Sequence, residues 1–360
     1  MKLDEIIKER KHINVLEGVD GKCATAEGWE SHRDYLRTLL ERYSYGKTPK
    51  RPTRVTSEVL SVDDIAYAGK VREERVKITL TDENGDFSFE GSLYYPKRFE
   101  KPPVFLHIAF RPVPDRYIPV EEITDAGYAL FVVVYTDIVN DNHYGDFSDG
   151  LAKHFGVGER EPEEWGKIGM WAYGVSTVVD YLMTRDDINR ERIALIGHSR
   201  LGKTVLWCAA QDERVWAVVS NNSGYGGAAS SRHANGEHIS DFFRLGSWDW
   251  FTETFKDYLD RENEKPYDQS QLLALIAPRI LLVNSAEEDR GADPISELIT
   301  ARNASAAWEL LGEEGIPNVE LPSAPVKLFS GKVGYFLRHG RHFLSREDWS
   351  AAIEFLNQYV

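Results

Sequence analysis

The sequence predicts a three-layer α/β fold on a mostly parallel sheet with a helical N-terminal extension, and three observations carry the prediction. From about residue 71 onward, strand-like runs alternate with helix-like stretches, the order expected of a parallel sheet covered on both faces. Several runs are continuously apolar, as strands buried on both faces are. One of them, residues 192–196, breaks into a tight small-residue turn and then a helix. The chain of 360 residues is 42% apolar, ample for a buried core.

Taken in order, residues 1–70 read as the helical extension, amphipathic over 3–11 and 29–43. Residues 71–80 and 87–95 predict a hairpin across the turn-rich D-E-N-G-D connector. Short buried strands come after it at 104–110 and 129–135, and a helix over 165–183 leads into the strand at 192–196. The next helix places Leu201, Val205, Leu206 and Ala209 at helical spacing. Strands at 215–220, 280–284 and 326–330 come next, and a helix over 345–359 closes the chain. Residues 221–279 contain no convincing strand. The expected organisation is one α/β domain over 71–360, with 222–278 as a cap or substrate-binding insertion.

The turn after residue 196 reads Gly197, His198, Ser199, Arg200, Leu201, Gly202. A serine at the apex of a strand–turn–helix is the nucleophile turn of α/β-hydrolases. Such a bend needs small residues where the chain doubles back, and the helix N-terminus beneath it favours a developing oxyanion. The usual spacing is G-x-S-x-G; here the second glycine falls one residue later, at Gly202. In this fold the acid and then the histidine succeed the serine on loops after later strands. Of ten histidines, His339 and His342 lie between the last expected strand and the closing helix. The loop after residue 284 offers Glu287, Glu288, Asp289 and Asp293 as the acid, and their positions alone do not choose among them.

A formal net charge of −15 argues against nucleic acid or an anionic membrane as partner. No apolar run approaches the ~20 residues that span a bilayer. Two cysteines, Cys23 and Cys208, make no disulfide framework. The charged N-terminal stretch lacks the apolar core of a signal peptide, so the chain as written is expected in the cytoplasm, or secreted if a leader has been trimmed. No metal site is expected. H-E-x-x-H and C-x-x-C are missing, and His233 and His238 have the wrong spacing for one helical face.

The run G-H-S-R-L-G-K resembles the G-C-S-R-x-G-K signature of the glucuronoyl esterases, carbohydrate esterase family fifteen, especially its bacterial branch. Trp171-Ala172-Tyr173-Gly174-Val175 with Asp180-Tyr181-Leu182 is similar to its W-A-W-G-x…D-Y-L helix, and Asn222-Ser223-Gly224-Tyr225-Gly226-Gly227-Ala228 to its E-S-G-x-G-G-A. Gly236-Glu237, Trp250-Phe251, Ala286 to Asp289 with Ala292-Asp293-Pro294, and Gly340-x-His342 with Asp348-Trp349 complete a likeness spanning roughly 165–349. The resemblance implies Ser199 as nucleophile, His342 as base and Arg200 as an oxyanion partner. It also implies Lys203, Glu237 and Trp250 as sugar contacts, Lys203 being expected to reach the mouth of the site. No cofactor is implied. The E-S-G glutamate, the acid of many members, is here Asn222, so the acid is assigned to the later loop: Asp289, with Glu288 second. His233 stands where bacterial members often have a second arginine, which bears on the shape of the uronate site.

The serine turn and the resemblance together imply a serine esterase acting by two-step acyl transfer on a carbohydrate ester. The expected substrate is a (4-O-methyl-)glucuronoyl ester of glucuronoxylan fragments or of lignin–carbohydrate material. Removal of acetyl groups from acetyl xylan or another sugar is the alternative, and an inactive sugar-binding domain the remote one.

Overall fold

The apolar runs are strands, set between helices that cover them. The computed structural model describes residues 1–18, 20–142 and 145–360. Among them the strands are β1 Arg54–Ala66, β2 Val71–Asp82, β3 Gly85–Pro96, β4 Val104–Ala109, β5 Ala129–Val134, β6 Ile193–His198, β7 Ala217–Asn221, β8 Ile280–Ala286, β9 Val326–Leu328 and β10 Val333–Arg338. They form one sheet in the order β1-β2-β3-β5-β4-β6-β7-β8-β10-β9. The six strands from β5 to β10 in that order run parallel, while β1, β2, β3 and β9 are antiparallel to their neighbours.

Parallel strands covered by helices on both sides have no solvent face, hence the unbroken apolar runs. Alternate residues divide between two cores. Leu106, Phe131, Leu195, Val218 and Leu281 face one core, with helices Trp29–Leu40, Lys167–Leu182, Arg200–Gln211 and Pro294–Leu310. Phe105, Leu130, Ile196, Val219 and Leu282 face the other, against helix Arg346–Leu356. Six tryptophans, Trp29, Trp165, Trp171, Trp207, Trp308 and Trp349, are fully buried. The high aromatic content is therefore mostly core.

Two expectations are corrected and one helix is added. Residues 1–70 are not helical throughout: after helices Leu3–Glu9 and Trp29–Leu40 the chain enters β1, a strand of 13 residues. Its β-branched residues mix with polar ones because it is an exposed edge, so no apolar run announces it. The strand expected at 326–330 is only the short antiparallel β9; the last parallel strand is β10, its apolar run broken by Gly334. Helix Pro294–Leu310 was not expected at all. It is packed on several sides and so shows no amphipathic stripe, though Pro294 at its start and the Asp293 cap are legible signals.

Candidate active site

Ser199 comes directly after β6 and stands at φ +59°, ψ −129°, a strained conformation for a residue with a side chain. Its N–H donates to Asn221 O on neighbouring β7 at 2.9 Å, which pins the apex. A β-carbon at Gly197 would collide with the Leu201 carbonyl, and one at Gly202 would lie 2.9 Å from Ser223 Cβ. Both glycines are thus required by crowding, and the shifted spacing of the second one still meets that requirement. Helix Arg200–Gln211 begins at the next residue, so its N-terminal dipole end lies at the serine.

The acid and histidine loops leave the sheet side by side, after β8 and β10. Backbone bonds lace them together, Glu287 N–H to Arg338 O and Glu288 N–H to Gly340 O, each 2.9 Å. His342 Nδ1 lies 2.6 Å from Asp289 Oδ2. The same carboxylate accepts from the Asn222 amide at 2.8 Å and from the Ala292 N–H at 3.3 Å. Burial pushes the Asp289 carboxyl up, but these bonds and the neighbouring His342 charge outweigh it and hold the group below the usual carboxylate range.

The other candidates are engaged elsewhere. Glu287 pairs with the exposed His339 at 2.8 Å, and Glu288 with Arg341 at 3.2 Å on the surface. Asp293 caps helix Pro294–Leu310, accepting from Ser296 N–H at 3.0 Å. Asp289 alone of the four contacts His342, and Asn222, in the place of the missing glutamate, serves as a donor to that acid.

A cleft of about 180 Å³ opens on Ser199, His342, Asn222, Gly224, Glu237 and Lys203. Lys203 is only 3% exposed, with donors committed to Ser223 O at 2.5 Å, Tyr225 O at 2.7 Å and Glu237 Oε2 at 3.4 Å. Burial lowers its affinity for the proton, against the pull of Glu237. It lines the cleft and braces its wall. Trp250 is 6% exposed and does not line the cleft; its indole N–H donates to Asp141 at 2.7 Å, and the Arg200 guanidinium lies over its ring at 4.5 Å. Arg200 is also paired with Asp141. Trp250 therefore helps to seat Arg200. His233 is exposed and outside the cleft.

Three groups near the site were not foreseen. Asp141 bridges Arg200 and Trp250 across 59 and 109 residues of chain. His198 packs its ring 4.4 Å from that of His342 and is bonded to Asn221. Burial, with His342 beside it, holds its imidazole well below the usual histidine range, so it stays neutral. Glu297 sits beneath the 222–224 turn, accepting from Ser223 N–H at 2.8 Å and Gly224 N–H at 3.0 Å. No local pattern marks these residues, because their partners are distant in sequence.

Among the described residues no cluster of His, Cys, Asp and Glu could hold a metal ion, and no helix is long and apolar enough to cross a membrane. A strained serine, a histidine on a buried carboxylate and a cation at a helix N-terminus can together carry out acyl transfer.

A family model described as "Glucuronyl esterase, fungi" matches residues 75–312. A carbohydrate esterase from an unknown prokaryotic organism is 33% identical, the match covering 95% of this chain and 88% of that protein. A 4-O-methyl-glucuronoyl methylesterase from Podospora anserina is 26% identical over 81% of this chain, and the match spans 58% of that relative. The solved structure of a glucuronoyl esterase from Solibacter usitatus superposes with a TM-score of 0.90 at 34% identity, covering 97% of this chain and 98% of that one.

Proposed function

The chain belongs to the glucuronoyl esterase family of carboxylic ester hydrolases, and from that premise we propose that it cleaves glucuronoyl esters of carbohydrates through Ser199. His342 takes the Ser199 proton as the oxygen attacks the ester carbonyl, and Asp289 orients the ring and stabilises the imidazolium that forms. Arg200 and the N–H groups at the start of helix Arg200–Gln211 face the growing negative charge. His342 then protonates the leaving alcohol. In the second half-reaction it activates a water that releases the uronic acid and restores Ser199.

The observation that carries the substrate reading is Glu237. It lines the cleft beside Ser199 and is braced by Lys203, where the acyl side of an ester would lie. An acetyl group has no hydroxyl for that carboxylate, whereas a uronoyl ring does, and polar groups left unpaired discriminate more sharply than size. Benzyl glucuronate should thus show a higher kcat/KM than 4-nitrophenyl acetate, once leaving-group reactivity is allowed for. Glu237→Ala should lower kcat/KM on the glucuronate by roughly 10- to 100-fold, with a much smaller effect on the acetate. Equal losses on both, or a clear preference for acetylated xylan, would leave a sugar deacetylase.

A further inference from the structure

Arg338 is the last residue of β10, and its side chain turns under the loop that carries His342. It is 4% exposed, and its partner Asp348, on helix Arg346–Leu356, is fully buried. The guanidinium Nε donates to both carboxylate oxygens of Asp348, at 3.0 and 2.9 Å. Nη1 donates to His339 O at 3.0 Å, and Nη2 to Arg341 O at 3.1 Å and Phe343 O at 2.6 Å. One planar group therefore holds the carbonyls on both sides of His342 and one nearer the strand. Asp348 in turn accepts from Ser345 N–H at 2.7 Å and Ser345 Oγ at 2.8 Å, fixing the far end of the loop to a helix cap. Of the loop's other side chains, His339 and Arg341 are exposed and paired with surface acids, while Phe343 packs edge-on to Tyr117 at 4.5 Å and its carbonyl also accepts from the Asn221 amide at 3.0 Å.

We propose that Arg338, anchored by Asp348, is a positioning residue for the catalytic histidine, holding the 339–343 loop so that His342 meets both Asp289 and Ser199. This rests on the assignment of His342 as the base. A buried ion pair is by itself weak evidence of stability, since desolvation offsets the attraction. Here three of the guanidinium's hydrogen bonds end on the loop that carries His342. A lysine keeps the charge but presents a single compact donor, which cannot span three carbonyls and a carboxylate together.

The test compares Arg338→Lys and Asp348→Asn with the unaltered protein, and uses His342→Ala as control. Each is assayed for kcat and KM on benzyl glucuronate, for thermal unfolding, and for the low-field proton NMR signal of the hydrogen between His342 Nδ1 and Asp289. A catalytic group displaced by about 1 Å costs on the order of 100-fold, so a folded Arg338→Lys should lose roughly 10- to 100-fold in kcat. Its KM should stay within about threefold, since substrate contacts are intact. The low-field signal should weaken or vanish in both variants. The proposal is overturned by an unchanged kcat and signal in folded protein, by a loss confined to KM with the signal intact, or by both variants failing to fold, which would give the pair a purely structural role. Retained activity in His342→Ala would instead remove the base assignment, a separate failure.

Discussion

At the scale of single residues, the site depends on one carboxylate kept ionised in a buried place. Asp289 owes that state to His342, Asn222 and Ala292. Because its affinity for the proton is depressed in the folded chain, it stabilises the fold above the ordinary aspartate range and loses that contribution as pH falls through its lowered value. Asp289→Asn should lower kcat by something on the order of 10⁴, as loss of the orienting acid does in serine proteases, while Glu288→Gln changes it little. Steady-state kinetics of the two variants decide the point, and the reverse order would make Glu288 the acid. Asn222 lies at φ +47° and donates to Asp289. Asn222→Glu would therefore set a second carboxylate against the first, and activity should fall. Combined with Asp289→Asn the new carboxylate has an amide opposite it, and part of the activity should return; a double mutant no better than Asp289→Asn alone would show that this position cannot serve His342.

At the scale of elements, the cleft wall is a turn resting on a buried acid. Glu297, on helix Pro294–Leu310, accepts two backbone N–H groups of the 222–224 turn and the Ser285 hydroxyl. Burial nonetheless dominates those three donors and pushes its carboxyl up to about 8. The sign is opposite to that of Asp289. A group raised in the folded state favours folding at low pH, so its contribution is full below the unfolded value of about 4.5 and is lost as pH rises through about 8. Glu297→Gln keeps the shape without the titration. Melting temperatures measured from pH 4.5 to 8 should fall less steeply in that variant than in the unaltered chain, and parallel curves would show that Glu297 does not take up the proton.

At the scale of the whole molecule, the N-terminal region is built into the hydrolase body. Tyr45 is fully buried, stacks on Trp207 at 4.6 Å, and donates its hydroxyl hydrogen to Gly226 O at 2.8 Å. Gln269 donates to the same hydroxyl oxygen at 3.2 Å. Leu3, Trp29, Leu36 and Leu40 belong to the same core as Leu195 and Leu281. Tyr45→Ala should cost about 3–5 kcal/mol of stability through the cavity and the stranded Gly226 carbonyl. Denaturant titration monitored by tryptophan fluorescence should show one transition, shifted to lower midpoint. An early separate transition for the first fifty or so residues would instead mark them as an appended unit.

What the sequence determined by itself is what neighbours along the chain enforce. The strand–turn–helix at Ser199 is legible because the crowding that demands Gly197 and Gly202 arises within a few residues, and β4 to β8 are legible because burial on both faces leaves an unbroken apolar run. The family resemblance narrowed the histidine to His342 and the acid to Asp289, with Glu288 second. Only the tertiary structure decided which partner each polar group takes. Asp289 and His342 are 53 residues apart, and Arg200 meets an aspartate 59 residues before it. Lys203 and Trp250 are bonded to carbonyls and to a carboxylate that reach them only once the loops have folded. Propensity and periodicity act over a helical turn or a strand, whereas a hydrogen bond is decided by where the sheet brings two loops together.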